Sequence, residues 1–191
     1  MTHPYLVALA LAGITFSGPV RGADATSPPG PSGFRGDLLL SLARLEQQTL
    51  SLEQAMPQAK FSWRPAKGVR SVSELYLHIA GGIYFLASKL GREVPPDVQA
   101  IMKANKWESQ TTKKEEISRV LTSAFAYLRN VILDTRDEDL DKKVQLMGNE
   151  VSTRLALMAT QFHSWEHLGQ AIAYARSNGV VPPWNKGEDK H

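Results

Sequence analysis

Apolar residues recur every three or four positions along four stretches of this chain, and segments rich in proline, glycine or charge separate them. Leu38, Leu39, Leu42, Leu45, Thr49 and Leu52 form the first stripe, which predicts a helix from about Gly36 to Met56, ended by Pro57. The second helix has a clear start. Ser71 and Glu74 make a capping box, in which each side chain takes a free backbone N–H of the first turn. Leu75, His78, Ile79, Gly82, Phe85 and Leu86 are its expected buried stripe, and Gly91 its stop. Pro95-Pro96 opens a poorly patterned stretch with room for one or two helical turns. A third helix is expected from Thr112, with Glu115 three residues on, to about Asp134, carrying Ile117, Val120, Leu121, Ala124, Leu128 and Ile132. The fourth runs from about Ser152 to Ser177, with Leu155, Met158, Ala159, Phe162, Trp165, Ile172 and Ala173 apolar, and Asn178-Gly179 and Pro182-Pro183 stopping it. Between the last two, Val144 to Met147 is too short to assign by period. Gly148-Asn149 marks a turn, and both a brief strand pair and a helical turn fit.

Four helices of five or six turns with short to medium links predict an all-α four-helix bundle, in which sites are built from side chains projecting inward from facing helices. The bundle domain is expected over 34–184, one ordinary domain in size. A Pro/Gly-rich linker precedes it at 26–33, and a polar tail follows at 185–191. The apolar run Tyr5 to Phe16 is too short to span a bilayer. With the small-residue site Ala23-Asp24-Ala25 it reads as a signal peptide over 1–25. Its start lacks Lys or Arg. The expected location is periplasmic or secreted, with no membrane span in the mature form; the alternative is a cytoplasmic protein with a mis-assigned start.

Charge narrows the function classes. The 191 residues carry a net charge of +3, with bases interspersed among acids, so no basic face for nucleic acid is expected. The chain has no cysteine, which excludes disulfides and thiolate ligands. Any metal must be held by nitrogen and oxygen.

Histidine supplies the nitrogen. His163 and His167 are four apart and so share one helix face, while His78 lies on the apolar face of an earlier helix. The remaining histidines, His3 and His191, fall outside the predicted bundle. Three imidazoles with one position left open form the pattern of a catalytic metal site, and they suit zinc, nickel, copper or iron. An H-x-x-x-H pair alone is common, and a lone histidine on an apolar face is usually a satisfied core residue. Three buried imidazoles in one small core are costly without a shared purpose, so together they point to a metal. Periodicity does not show that they converge. Glu166, three residues after His163, is a candidate base or partner to a ligand, and fits a solvated acid equally well. Gln170 follows His167 by three and is a candidate to orient a histidine or a bound molecule; Tyr174, four further on, is a candidate for proton transfer. Trp63, with Trp165, Phe85 and Tyr84, is a candidate pocket wall or simply core.

Two segments resemble a known family. Phe61 to Ala80, FSWRPAKGVRSVSELYLHIA, is similar to the first signature of the DinB superfamily (DinB/YfiT-like proteins): a turn with proline, a capped helix and one ligand histidine. The second is matched by His163-Ser-Trp-Glu-His167-Leu-Gly-Gln170 and then by Tyr174 to Trp184. The resemblance covers nearly all of 34–184. It implies an up-up-down-down bundle, a divalent metal (zinc, nickel or iron) on His78, His163 and His167 with water in the open position, and a homodimer. Relatives include thiol-dependent S-transferases and maleylpyruvate isomerases; many have no known activity. Leu168 stands where relatives often carry arginine, a departure from the thiol-transferase pattern. Three functions follow as expectations. The first is an exported metal-dependent enzyme, for instance a hydrolase, acting on a small molecule. The second is a thiol S-transferase or maleylpyruvate isomerase-like enzyme. The third is a non-catalytic dimeric binding or stress-related scaffold.

Overall fold

The computed structural model describes residues 31–185. The expected signal peptide, most of the linker and all but the first residue of the tail lie outside the described residues. The elements are α1 (Gly33–Ala55), α2 (Val72–Ala87), α3 (Pro96–Lys103), α4 (Lys114–Asp134), β1 (Lys143–Leu146), β2 (Asn149–Ser152) and α5 (Thr153–Ser177). No described helix is long and apolar enough to cross a membrane.

Local signals set several of these boundaries. Both halves of the capping box are present: the Glu74 N–H donates to Ser71 Oγ at 3.3 Å, and the Ser71 N–H to Glu74 Oε2 at 2.7 Å. Ser152 caps α5 by accepting from the Leu155 N–H at 3.2 Å. After α5, Gly179 adopts a φ of +74° and the Val180 N–H returns to the Ala175 carbonyl, a left-handed stop that glycine makes at least cost. The expected cap at Thr112 does not form. Instead α4 starts at Lys114, whose N–H donates to Gln58 Oε1 at 2.8 Å, so a residue far back in the chain replaces the local cap. Of the two alternatives for 144–147, the strand pair is the one present. β1 and β2 pair antiparallel with Leu146 opposite Asn149, and Met147 and Gly148 turn the chain at φ of +50° and +82°, the pattern of a tight two-residue hairpin.

α1, α2, α4 and α5 form the bundle. α1 and α2 each pack against both α4 and α5, which puts α1 diagonal to α2 and α4 diagonal to α5. Residue pairs give the directions. Arg35 meets Asp137, and Glu53 meets Ser118, so α1 and α4 are antiparallel. Tyr84 stacks on Tyr127 and Arg92 pairs with Asp134, so α2 runs parallel to α4. Leu38 and Ser41 meet Gln161 and Trp165, so α5 runs parallel to α1. The order is therefore up-down-down-up, not the expected up-up-down-down. The physical reason is the link between α2 and α4: residues 88–113 are long enough to travel back along the bundle, carrying α3, and to restart α4 in the direction of α2.

The core between these helices is apolar, with Leu42, Leu45, Leu52, Ile79, Ile83, Leu121, Phe125, Leu128 and Leu157 fully buried. Two predicted stripes shift. On α2, burial extends almost all round, to Tyr76, Leu77, Ala80 and Tyr84, while Phe85 is 45% exposed. On α5, Leu155 and Phe162 are 45% and 57% exposed, and the buried face is Ala156, Thr160, Gln161, Ser164 and Leu168. Thr160 and Ser164 donate to the carbonyls of Ala156 and Thr160, so these small polar residues can be buried satisfied.

One buried acid sits inside this core. Glu53 Oε2 accepts from Ser118 Oγ at 2.7 Å and Gln54 Nε2 at 2.9 Å, but Oε1 has no partner. Burial pushes its carboxyl above the ordinary glutamate value, against the bonds from Ser118 and Gln54 and the charge of Lys114. A folded pKa above the unfolded one gives a stability contribution that is full below the unfolded value and lost as pH rises through the folded one. Glu53→Gln removes that loss. The variant is expected to be the more stable by about 1 kcal/mol at pH 8, with the gap closing toward pH 4. Urea unfolding at both pH values checks this; an equal gap at both would assign the effect to packing.

Candidate metal centre

α2 presents His78 to α5, and α5 presents His163 and His167 one turn apart toward α2. The three imidazoles converge. Nε2 of His78 lies 3.0 Å from Nε2 of His167 and 3.2 Å from Nε2 of His163. They are the group of histidine and acid side chains, among the described residues, whose ligand atoms could share one ion. Nitrogens bound at 2.0–2.1 Å to one tetrahedral ion lie about 3.3–3.4 Å apart, close to this spacing.

The outer ring nitrogens fix the tautomers. Nδ1 of His78 lies 2.7 Å from Glu108 Oε1, a carboxylate oxygen that can only accept, so Nδ1 carries the proton. The Tyr174 hydroxyl donates to the Arg70 carbonyl at 3.1 Å. Its oxygen is then left to accept from Gln170 Nε2 at 3.0 Å, which turns Gln170 Oε1 toward Nδ1 of His167 at 3.1 Å. His167 is thereby protonated on Nδ1 as well. Nε2 of His78 and Nε2 of His167 therefore face each other as lone pairs at 3.0 Å with no hydrogen between them. A cation at the shared point turns that repulsion into ligation. A proton is a poor substitute, because His78 and His163 disfavour charge. Burial holds His78 below the ordinary imidazole value, against the pull of Glu108. Burial, together with the neighbouring His167 and His78, lowers His163 to about 4. The donor set thus fits a divalent ion bound by neutral imidazole.

His163 is held differently from the other two. Its Nδ1 is buried without a partner, and its ring lies directly over Gly82, where an added Cβ would collide with it. Gly82 was legible as part of the α2 stripe; the structure shows that the absence of a side chain there makes room for the imidazole.

Glu108 was missed by sequence reasoning. It lies thirty residues beyond His78 in the crossover, and no period marks it. Arg70 grips both its oxygens, at 2.7 and 3.0 Å. Burial alone would raise its carboxyl, but the Arg70 and His78 bonds outweigh this and keep it below the ordinary value, hence ionised. The neighbouring Trp107 pins the segment: its indole N–H donates to the Leu77 carbonyl at 2.5 Å, and it lies on Gly81, where a Cβ would displace it. A tryptophan followed by an acid is the one sequence signal that could have drawn attention here.

The other candidate residues fall in separate places. Gln170 orients His167, in one of the two roles expected of it. Tyr174 is buried and its hydroxyl is engaged on both sides, so it anchors Gln170. Trp63 packs edge-on against Tyr174 at 5.5 Å and supports that chain from behind. Glu166 is exposed and makes no hydrogen bond or ion pair among the described residues; the structure does not bring it to the cluster. Of the four aromatic candidates only Phe85 lines the cavity beside the histidines. Tyr84 packs against Trp107 and Tyr127, and Trp165 reaches Ser41 on α1. Leu168 is buried in the core and faces no part of the cavity.

Fold and site define a helical bundle with a three-histidine centre competent to bind a metal. Residues 41–171 match the DinB superfamily model, and the chain belongs to that superfamily. Its structure is similar to that of a DinB-like protein from Bacillus cereus ATCC 10987, at 17% identity and a TM-score of 0.67, covering 78% of this chain and 95% of that one. It is also similar to the DinB-like protein YjoA from Bacillus subtilis (19% identity, TM-score 0.59, 76% and 93% covered). A conserved protein from Enterococcus faecalis matches as well, at 17% identity and a TM-score of 0.65, with 76% and 97% covered. At these identities the likeness establishes the fold. No curated protein matches the chain.

Proposed function

We propose that this protein binds one divalent metal ion through Nε2 of His78, His163 and His167 and uses it in chemistry on a small molecule. The observation that carries this reading is the pair of opposed lone pairs on His78 and His167, 3.0 Å apart, with both tautomers set by outer hydrogen bonds. Three neutral nitrogens leave one coordination position for a ligand, and an ion so held supplies Lewis acidity to whatever occupies it. The protein's own residues do the rest. Glu108 and Gln170 hold two of the rings in the ligating tautomer. Arg70 keeps Glu108 ionised, so that carboxylate continues to accept from His78. The cavity beside His78 and His163 gives a molecule a way in.

The thiol-transferase reading has less support. Position 168 is a core leucine, and Arg70, beside the cluster, is occupied by Glu108. Among the described residues, the lining of the cavity at the histidines includes no lysine or arginine for the carboxylates of a small thiol cofactor.

Protein purified without a histidine tag is expected to contain about one equivalent of metal, or to take up one equivalent of zinc or nickel with a raised melting temperature. Elemental analysis and a thermal melt test this. Absence of metal together with absence of any thermal response would remove the proposal.

A further inference from the structure

A cavity of about 740 Å³ opens against His78 and His163. That is within the range of sites for small organic ligands. Its chemistry is uneven. Phe85, Leu86, Met102, Trp107 and Met147 supply large apolar surfaces to its walls, drawn from α2, α3, the following loop and the hairpin turn. Phe85 and Met147 remain exposed, the latter at 76%, although both are large and apolar. Apart from the histidines, the one ionisable residue among the lining is Glu108, and its carboxylate is fully engaged by Arg70 and His78. Asn105 and Ser109 are the neutral polar groups. Away from the histidine centre, a carboxylate or phosphate on the body of a ligand would lose its hydration and meet no cation among the described lining residues. An ammonium would meet no free anion.

A second cavity, of about 590 Å³, sharpens the contrast. Arg92, Glu93, Asp134, Asp139, Lys142 and Lys143 are among its walls; Arg92 pairs with Asp134, and Lys142 with Asp139. It is a charged recess, with three lining residues of each sign. Of these two cavities, the one at the histidines has the more apolar walls.

We propose that the cavity beside His78 and His163 takes an uncharged, largely apolar small molecule whose single polar head is directed at the three-histidine centre. The head's role rests on the metal reading above, while the choice of an uncharged apolar body rests on the cavity walls alone. Recognition of the body comes from Phe85, Met102 and Trp107, and the hairpin turn at Met147 closes one side. Trp107 is a fixed wall, because its N–H is tied to the Leu77 carbonyl and its ring lies on Gly81.

Two arms of one experiment separate these parts. In the first, a neutral solvatochromic naphthalene, 2-acetyl-6-(dimethylamino)naphthalene, is titrated into the full chain with and without zinc. Saturable binding with a blue shift is expected in both states. It should weaken about tenfold, roughly the effect of 1.4 kcal/mol, in Phe85→Ala and in Met147→Asp. Both substitutions are at exposed positions, so the fold should survive them. In the second arm, calorimetry on zinc-loaded protein compares 2-naphthohydroxamate, acetohydroxamate and the hydroxamate of succinic acid, which carries a free carboxylate. The aryl probe is expected to bind at least about tenfold tighter than the methyl probe, and the carboxylate probe no tighter than the methyl one. Equal affinities for aryl and methyl probes, or tightest binding by the carboxylate probe, would overturn the proposal. Fluorophore binding sensitive to Phe85→Ala in a protein that takes up no zinc would uphold the cavity's preference and count against the metal reading instead.

Discussion

Replacing His167 with alanine is expected to abolish metal uptake and with it all metal-dependent stabilisation. In the wild type, a metal present at a hundred times its dissociation constant stabilises the fold by about 2.7 kcal/mol. For a domain of this size that corresponds to a rise in melting temperature of roughly 5–10 °C. Two remaining imidazoles leave the ion with half a tetrahedron and without the tautomer set by Gln170, so the rise should vanish. The metal-free state should behave otherwise. There, His78 and His167 oppose lone pairs at 3.0 Å, and removing one of them relieves a repulsion. Metal-free His167→Ala should therefore melt close to the metal-free wild type. A purely structural role for the histidines predicts the reverse: a large loss of stability in the variant and no response to metal in the wild type. Melting curves of both proteins, with and without zinc, decide between the two.

That contrast depends on outer hydrogen bonds, and these are the part of the site the sequence showed least. The helices were readable because their signals are local. A capping box at Ser71 and a left-handed stop at Gly179 act over a few residues, and the α1 and α4 stripes face a core built mainly of leucine and isoleucine. His163 and His167 had to share a face once α5 was helical. That His78 would meet them needed the family resemblance. Glu108 and the Gln58 cap of α4 were out of reach, because each joins residues thirty or more apart through loops whose paths no periodicity sets. The buried face of α5 was misjudged for a different reason. A hydrophobicity pattern assumes that burial selects large apolar side chains. Here Thr160 and Ser164 are buried instead, their hydroxyls satisfied within the helix, and Phe162 is left outside. The helix directions failed through the crossover: a link of 88–113 can restart a helix either way, and only docking of Trp107 and Arg92 shows which.

Gly82→Ala is expected to weaken metal binding about 10–100-fold, the loss typical of displacing a group that orients a ligand histidine, while leaving the bundle intact. The added Cβ would overlap the His163 ring, contacting Cε1 and both nitrogens. Either the ring or a helix must move. α5 is poorly placed to give way. Gln161 donates to the Leu38 carbonyl at 2.8 Å, and Leu157 and Leu168 are seated in the core on either side of His163. The imidazole has no such restraint, because its Nδ1 has no partner, so the ring turns and Nε2 leaves the shared point. Alanine also favours helix over glycine by about 1 kcal/mol, so the metal-free variant should not melt lower. Gly169→Ala is the control, on the same helix as His163 with nothing within 4 Å of the new Cβ. It should keep wild-type metal affinity and gain a little stability. Chelator competition for affinity and thermal melts of the metal-free proteins separate the two effects. Wild-type affinity in Gly82→Ala would show that His163 can tilt and still ligate, and would move the burden of the site onto His78 and His167, the two rings whose tautomers the protein fixes.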